Sequence, residues 1–244
     1  MNRQIRTVED VLSLLDGLFT PEADRWTPGS ADWWDRFYAD RDRGVPFFVA
    51  KPDENLVEHL ERGPLTGGRA LDLGCGPGRN ALHLAAHGYE VDAVDLSPAA
   101  LAWAEDRAAG QGAPPRPQAR FHQGDIFTVD LPHEQYDLIY DSGCLHHLPP
   151  HRRISYLALL DRRLAPGGHF ALTAFATGHG SGLSDAEFYR RGRLEGGLAY
   201  AADDLRHLFA DLTELEIRPM RPQPADSPLF GVDFLLTGLF RRAG

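Results

Sequence analysis

Residues 71–80 read LDLGCGPGRN, with glycines at 74, 76 and 78 directly after an apolar run and Asp72 two residues before the first of them. Glycine lets the backbone turn tightly and approach a ligand closely. A strand, this loop and a following helix therefore make a cradle at the C-terminal edge of a parallel sheet. A pyrophosphate site of the dinucleotide kind wants G-x-G-x-x-G, and Arg79 stands where the third glycine should fall. Other carboxylates close other apolar runs: Asp95, followed by Leu96, in VDAVDLSPAAL; Asp125, followed by Ile126, in GDIF; and Asp141 in YDLIYDSGCLHHL. The last run leads to His146 and His147. Adjacent helical positions point about 100° apart, so the two cannot share one role. An imidazole with its ordinary pKa of about 6.5 can accept a proton near neutral pH. Cys75 and Cys144 follow strands expected to be neighbours, but neither has a metal partner at standard spacing, and no metal is expected.

The elements that must position these groups follow from hydrophobic periodicity. Short β-like runs at 69–73, 89–95, 119–123, 136–141 and 169–175 alternate with helix-period segments, the pattern of a parallel sheet with crossover helices. NALHLAAHG places Leu82, Ala85 and Ala86 on one face and ends at Gly88, while Ser97-Pro98 opens the next helix as cap and first turn. HRRISYLALLDRRLAPGG traces a helix through Ile154, Leu157 and Leu160 that Pro166-Gly167-Gly168 should stop. The strands are expected in the order 3-2-1-4-5. Residues 176–201, rich in Gly, Ser and Arg with aromatics at Phe188, Tyr189 and Tyr200, read as a long functional loop that packs as a lid. A helix over 203–209, a strand in DLTELEIRPM and a last strand in VDFLLTGLFRR follow. GQGAPPRPQ, 110–118, is taken as an exposed connection.

The N-terminal part differs in kind. Residues 7–19 start with a Thr7…Asp10 cap and carry Val8, Val11, Leu12, Leu15 and Leu18 on one face, predicting an amphipathic helix docked on the main domain. Trp33, Trp34, Phe37, Tyr38, Phe47 and Phe48 follow among charges, then a helix from Glu54 to Leu60.

Bulk properties narrow the partners. A net charge of −10 over 244 residues opposes capture of nucleic acid or anionic membrane, which needs clustered Lys and Arg, and favours a small-molecule partner. Two cysteines make no disulfide framework, and charges interrupt the N-terminal apolar residues where a signal segment would be continuous. A cytoplasmic protein is expected, with no membrane span and with its oligomeric state left open.

ALDLGCGPGRNALHLA resembles motif I of class I S-adenosylmethionine-dependent methyltransferases, and the resemblance covers about 69–175. It implies that Asp72, Gly74 and Gly76 hold the cofactor. It further implies that Asp95, with Leu96 beside it, accepts from the ribose hydroxyls and that Asp125 and Ile126 bind the adenine. Asp141 is then expected to face the cofactor from the fourth strand. The segment from Trp33 to Leu60 resembles the one that precedes motif I in the thiopurine, halide and tellurite-resistance methyltransferases, whose aromatics close over the cofactor, so Trp34 is expected there. Ser142 stands where that group has an arginine. In small-molecule methyltransferases resembling YDLIY…LHxL, the histidine before the final leucine lines the acceptor pocket, which implies His147 as base, with His146 the lesser candidate.

The expected fold is α/β, a Rossmann-like, mostly parallel seven-stranded sheet whose last strand is antiparallel, with an N-terminal helical lid. Residues 1–62 form the lid segment and 63–244 the methyltransferase domain. The expected function is methyl transfer from S-adenosyl-L-methionine to a small-molecule O, N or S nucleophile. The aromatic N-terminal segment leans to a thiol-like acceptor, and Ser142 to O or N. A non-catalytic cofactor-binding protein and an NAD(P)-dependent oxidoreductase are the alternatives.

Overall fold

The computed structural model describes residues 5–63, 65–110, 119–193 and 196–244, so the connection expected at 110–118 falls almost entirely outside the described residues. The elements in chain order are α1 (Val8–Asp16), α2 (Ala31–Ala39), α3 (Glu54–Arg62), β1 (Gly68–Leu73), α4 (Arg79–Ala86), β2 (Tyr89–Asp95), α5 (Pro98–Gly110), β3 (Ala119–Gln123), β4 (Tyr136–Ser142), α6 (Arg152–Arg163), β5 (Leu164–Phe175), α7 (Asp185–Arg191), α8 (Ala202–Leu208), β6 (Thr213–Pro219) and β7 (Leu235–Arg241). The seven strands form one sheet ordered β3-β2-β1-β4-β5-β7-β6. All neighbours are parallel except β7, which runs against both β5 and β6.

Period-2 alternation sends successive strand residues to opposite faces. Leu71, Leu73, Ile139, Phe170 and Leu172 meet Tyr156 and Leu159 of α6 and Leu205 of α8 in one core. Ala70, Leu138, Tyr140 and Ala171 meet Leu56 of α3, Leu84 of α4 and Leu101 of α5 in the other. Helices thus cover both faces, and the order reverses between β1 and β4. Ligands in such sheets bind at the carboxyl ends of the strands beside that reversal.

Four expectations need correction. Helix α6 stops at Arg163, and the Pro-Gly-Gly lies within β5, where Gly167 takes φ +74° and the register with β4 shifts between Tyr136 and Leu138. Its buried face is Tyr156, Leu159 and Leu160, while Ile154 is exposed. Helix α4 buries Ala81 and Leu84 more deeply than the expected face, and Ala86 is exposed. Helix α1 has the Thr7–Asp10 capping box, but only Leu12 of its expected face is buried; Val8, Val11 and Leu18 face outward, because Asp16 and Glu9 anchor the helix by charge. The 176–201 stretch is more ordered than a plain loop: it carries α7 and pairs at Ala176–Tyr200 and Ser181–Leu198.

The glycine loop generates a stability prediction. Gly78 sits at φ +72°, and a Cβ there would lie 2.8 Å from the Cβ of Ala104 and 3.0 Å from the Phe121 ring. Gly88 is equally left-handed at φ +90°, with nothing within 4 Å. Gly78→Ala is expected to cost about 2 kcal/mol or more, strain plus overpacking. Gly88→Ala should cost only about 1 kcal/mol, so thermal unfolding of the two variants must rank in that order.

Candidate active site

A cavity of about 350 Å³ opens at the carboxyl ends of β1, β2 and β4, roofed by the N-terminal segment. Of the residues expected from sequence, Asp72, Gly74, Gly76, Asp95, Leu96, Asp125, Ile126, Trp34, His146 and His147 all line it. Asp141 does not.

At the β1–β3 end the loop turns on left-handed glycines, Gly74 at φ +64° and Gly76 at φ +51°, packed against Cys144 and the Tyr38 hydroxyl respectively. The Asp95 carboxylate accepts from the backbone N–H of Gly76 at 2.8 Å and of Ser97 at 2.9 Å, tying β2 to the loop. Burial pushes its pKa up to about 6, against the lowering effect of those bonds. Half-buried Asp125 accepts from Phe127 N–H at 2.9 Å. Asp72 is 1% exposed, and its Oδ2 has no hydrogen-bond partner among the described residues. Burial raises its pKa well above the ordinary value, and the Arg79 charge works against that rise. A buried carboxylate oxygen without a donor, in the wall of a cavity, calls for a cationic or hydrogen-bonding ligand group.

Asp141, expected to face the cofactor, instead turns inward. It accepts from the N–H groups of Cys144 (2.7 Å) and Leu145 (2.9 Å) and from the Tyr156 hydroxyl (2.6 Å). It fixes the turn that carries both histidines. His146 is buried, stacked on Phe175 with ring centroids 4.1 Å apart, and its Nδ1 accepts from Phe175 N–H at 3.3 Å. Burial holds its pKa well below the usual value, so it is a neutral packing group. His147 lines the cavity edge-on to Trp34, centroids 5.0 Å apart, and its buried Nδ1 has no partner among the described residues. Burial lowers its pKa to about 4, which corrects the expectation of an ordinary imidazole. The ring is neutral at physiological pH.

The sequence reading missed the network between the two ends. Asp53, preceding α3, has the residue type of a helix cap but makes no capping bond. Its carboxylate accepts from Arg79 (2.5 Å), Asn80 (2.9 Å), Tyr140 (2.7 Å) and Ser142 (2.7 Å), and Arg79 also donates to Ser142 Oγ at 2.9 Å. The two departures from motif, Arg79 in place of a glycine and Ser142 in place of an arginine, are partners; the departures themselves were the only signal. Phe175, Phe230 and Phe234 also line the cavity without having been singled out. Among the described residues no group of three or more His, Cys, Asp or Glu is placed to hold a metal, and no helix is long and apolar enough to cross a membrane.

The covers are held in place by side chains. Asp35 of α2 accepts from Ser97 Oγ (2.5 Å) and Ala99 N–H (3.0 Å) at the start of α5, where a carboxylate also suits the helix dipole. Trp34 donates its indole N–H to the Arg25 carbonyl at 3.0 Å. The 176–201 segment is pinned by Leu198 N–H to the His146 carbonyl and Tyr200 N–H to the Phe175 carbonyl, both 2.8 Å. His151 joins the two covers: one ring nitrogen meets Asp16 of α1 and the other the Tyr189 hydroxyl of α7, each at 2.8 Å. Phe19 packs on Phe188 above it, centroids 5.0 Å apart. Burial would raise the Asp16 pKa, but hydrogen bonds from His151, Arg152 and Trp26 bring it down to about 2.

Residues 70–168 match the family model described as a methyltransferase domain. Over those residues the chain is similar to class I S-adenosylmethionine-dependent methyltransferases, a class whose cofactor is S-adenosyl-L-methionine. It is 28% identical over 130 residues to a 2-heptyl-1-hydroxyquinolin-4(1H)-one methyltransferase of Mycobacteroides abscessus, covering 53% of this chain and 56% of that one. It is 39% identical over 119 residues to a trans-aconitate 2-methyltransferase of Variovorax paradoxus, covering 47% and 42%. The chain spans about half the length of these curated relatives. A solved structure described as "Conversion of a Disulfide Bond into a Thioacetal Group during Echinomycin Biosynthesis" superposes with TM-score 0.66 at 28% identity, over 88% of this chain and 92% of that one.

The joint anchoring of the two covers is testable. Asp16→Ala removes charge-assisted bonds of about 1.5–3 kcal/mol each. Hydrogen exchange should then quicken about tenfold or more both in α1 and in α7, through His151 and Tyr189. Faster exchange confined to α1 would show that the covers move separately.

Proposed function

We propose that the chain transfers the methyl group of S-adenosyl-L-methionine to a small-molecule acceptor, with residues 1–62 as the lid over the reaction. The observation that carries this reading is the unpartnered Asp72 Oδ2 in the glycine cradle, on the same cavity wall as Asp95. The cofactor offers a ribose diol for one carboxylate and an ammonium for the other. A pyrophosphate would instead meet three carboxylates, Asp72, Asp95 and Asp125, which disfavours the nicotinamide alternative.

In this reading Asp95 and Leu96 hold the ribose, Asp125 and Ile126 the adenine, and the glycine loop with Asp72 the amino-acid end. Bound there, the cofactor supplies a methyl group on a sulfonium, a carbon electrophile that needs a nucleophile held in line. The protein's part is mainly to position the acceptor and exclude water. Trp34 and Tyr38 close the site from above. His147, neutral with its Nδ1 lone pair free, accepts the acceptor's proton as the new bond forms, and Asp141 fixes the turn that places it. The enclosed cavity, the net charge of −10, and the relatives named for a quinolone and for trans-aconitate support a small-molecule acceptor.

Calorimetry with S-adenosylhomocysteine tests this assignment. Binding through the Asp95 carboxylate requires its ionised form, and its raised pKa places protonation near pH 6. Affinity should therefore be full above pH 7 and fall as pH drops through about 6, where an ordinary carboxylate would hold it to about pH 4. Asp95→Asn should weaken binding by about 1.5–3 kcal/mol at neutral pH and flatten that acid limb. A folded Asp95→Asn protein with the wild-type dissociation constant and the same pH profile would refute it.

A further inference from the structure

We propose that the acceptor is an uncharged, planar aromatic molecule carrying a single O–H or N–H donor, seated among the aromatic side chains at the β4–β5–β7 end with that donor on His147 Nδ1. This rests on the methyltransferase reading and deepens it. With the cofactor held over β1, β2 and β3, the space left for the acceptor is walled by Trp34, Phe37, Phe47, Phe175, Phe230 and Phe234. Rings at an apolar wall favour a flat aromatic partner.

Charge decides against ionised acceptors. Two arginines are among the described lining residues, and each makes hydrogen bonds within the chain. Arg79 is taken up by Asp53, Ser142 and the Lys51 carbonyl and lies 4.3 Å from the Phe230 ring centroid. Arg25 donates to the carbonyls of Glu22 (2.8 Å) and Asp24 (2.5 Å) and stacks on Trp33. An anionic acceptor would find the Arg79 guanidinium already paired with Asp53 and would sit in a cavity that already holds Asp72, Asp95 and Asp125. A cationic acceptor would lie next to the cofactor's own positive sulfur, and no carboxylate is among Ser142, Cys144, His147, Thr173, Phe175 and Phe234 at this end.

The polar requirement comes from His147. Burial and the Arg25 charge lower its basicity, and the Gly196 backbone works the other way. Nδ1 is without a partner among the described residues, and in the tautomer protonated on Nε2 it carries the lone pair. A buried acceptor atom of this kind selects a ligand that donates to it and rejects the same ligand without the donor. Where the donor hydrogen is the one replaced by methyl, the product loses its hold on His147. The nitrogen that selects the acceptor then also releases the product.

The test uses the full chain saturated with S-adenosylhomocysteine and three ligands of one shape: 1-naphthol, 1-methoxynaphthalene and 1-naphthoate, with binding read by tryptophan fluorescence. The expected order has 1-naphthol tighter than each of the others by about tenfold or more. His147→Phe should shrink that advantage to within about twofold, whereas His147→Asn, whose amide oxygen can replace Nδ1, should keep most of it. Equal binding of the three, preference for the naphthoate, no binding of 1-naphthol, or an undiminished preference in His147→Phe would overturn the inference while S-adenosylhomocysteine binding leaves the cofactor reading standing. Failure of S-adenosylhomocysteine to bind would overturn both. If His147→Phe does not fold, the wild-type order and His147→Asn decide.

Discussion

Four aspartates, Asp53, Asp72, Asp95 and Asp141, are buried around one end of a parallel sheet, and the guanidinium of Arg79 is buried with them. Burying charge in this way is costly unless each carboxylate finds donors, and the loops around the cavity follow from how the donors are supplied. Asp95 takes N–H groups from the glycine loop and the start of α5. Asp141 takes those of the turn after β4. Asp53 gathers Arg79, Asn80, Tyr140 and Ser142 and so binds α3, α4 and β4 together. Only Asp72 keeps an oxygen without a donor, and it keeps it inside the cavity. Among the described residues the fold supplies donors to three of the four carboxylates and none to Asp72 Oδ2.

The two covers border the cavity and are each packed on the domain by their own aromatic residues. The N-terminal aromatics pack on one another and on α5 through Tyr38, Phe48 and Trp103, a patch anchored by Asp35 at the helix start. The 176–201 segment packs on the opposite core through Phe188, Leu198 and Tyr200. Their meeting point at Asp16, His151 and Tyr189 lies away from the cavity, with none of the three lining it. Motion of one cover can therefore reach the other without passing through bound ligand, in keeping with lids that close as units.

Local signals made much of this legible in advance. The glycine turn between strand and helix and the order of the first five strands were legible, and Asp72, Asp95 and Asp125 line one cavity. What failed depended on distant partners. Asp141 has the residue type and strand-end position of a cofactor ligand, but Tyr156 and two turn N–H groups claim it. Helix α1 has an apolar face by periodicity, yet docks through Asp16 and Glu9 because Arg152 and His151 lie 136 and 135 residues on from Asp16. Asp53, which the sequence reading passed over, is the centre of a network whose members lie 26 to 89 residues away. His147 was read with the pKa of a solvated imidazole, and burial, which no single sequence states, moved it to about 4.

A crystal structure of the chain with S-adenosylhomocysteine tests the central claim, that one cavity holds the cofactor between Asp95 and Asp72 and points its sulfur at His147. The account predicts the ribose hydroxyls on the Asp95 carboxylate, the amino group on Asp72 Oδ2, and the sulfur turned toward the β4–β5 end. A ligand lying elsewhere, or one whose ribose avoids Asp95 and leaves Asp72 without a donor, would contradict it.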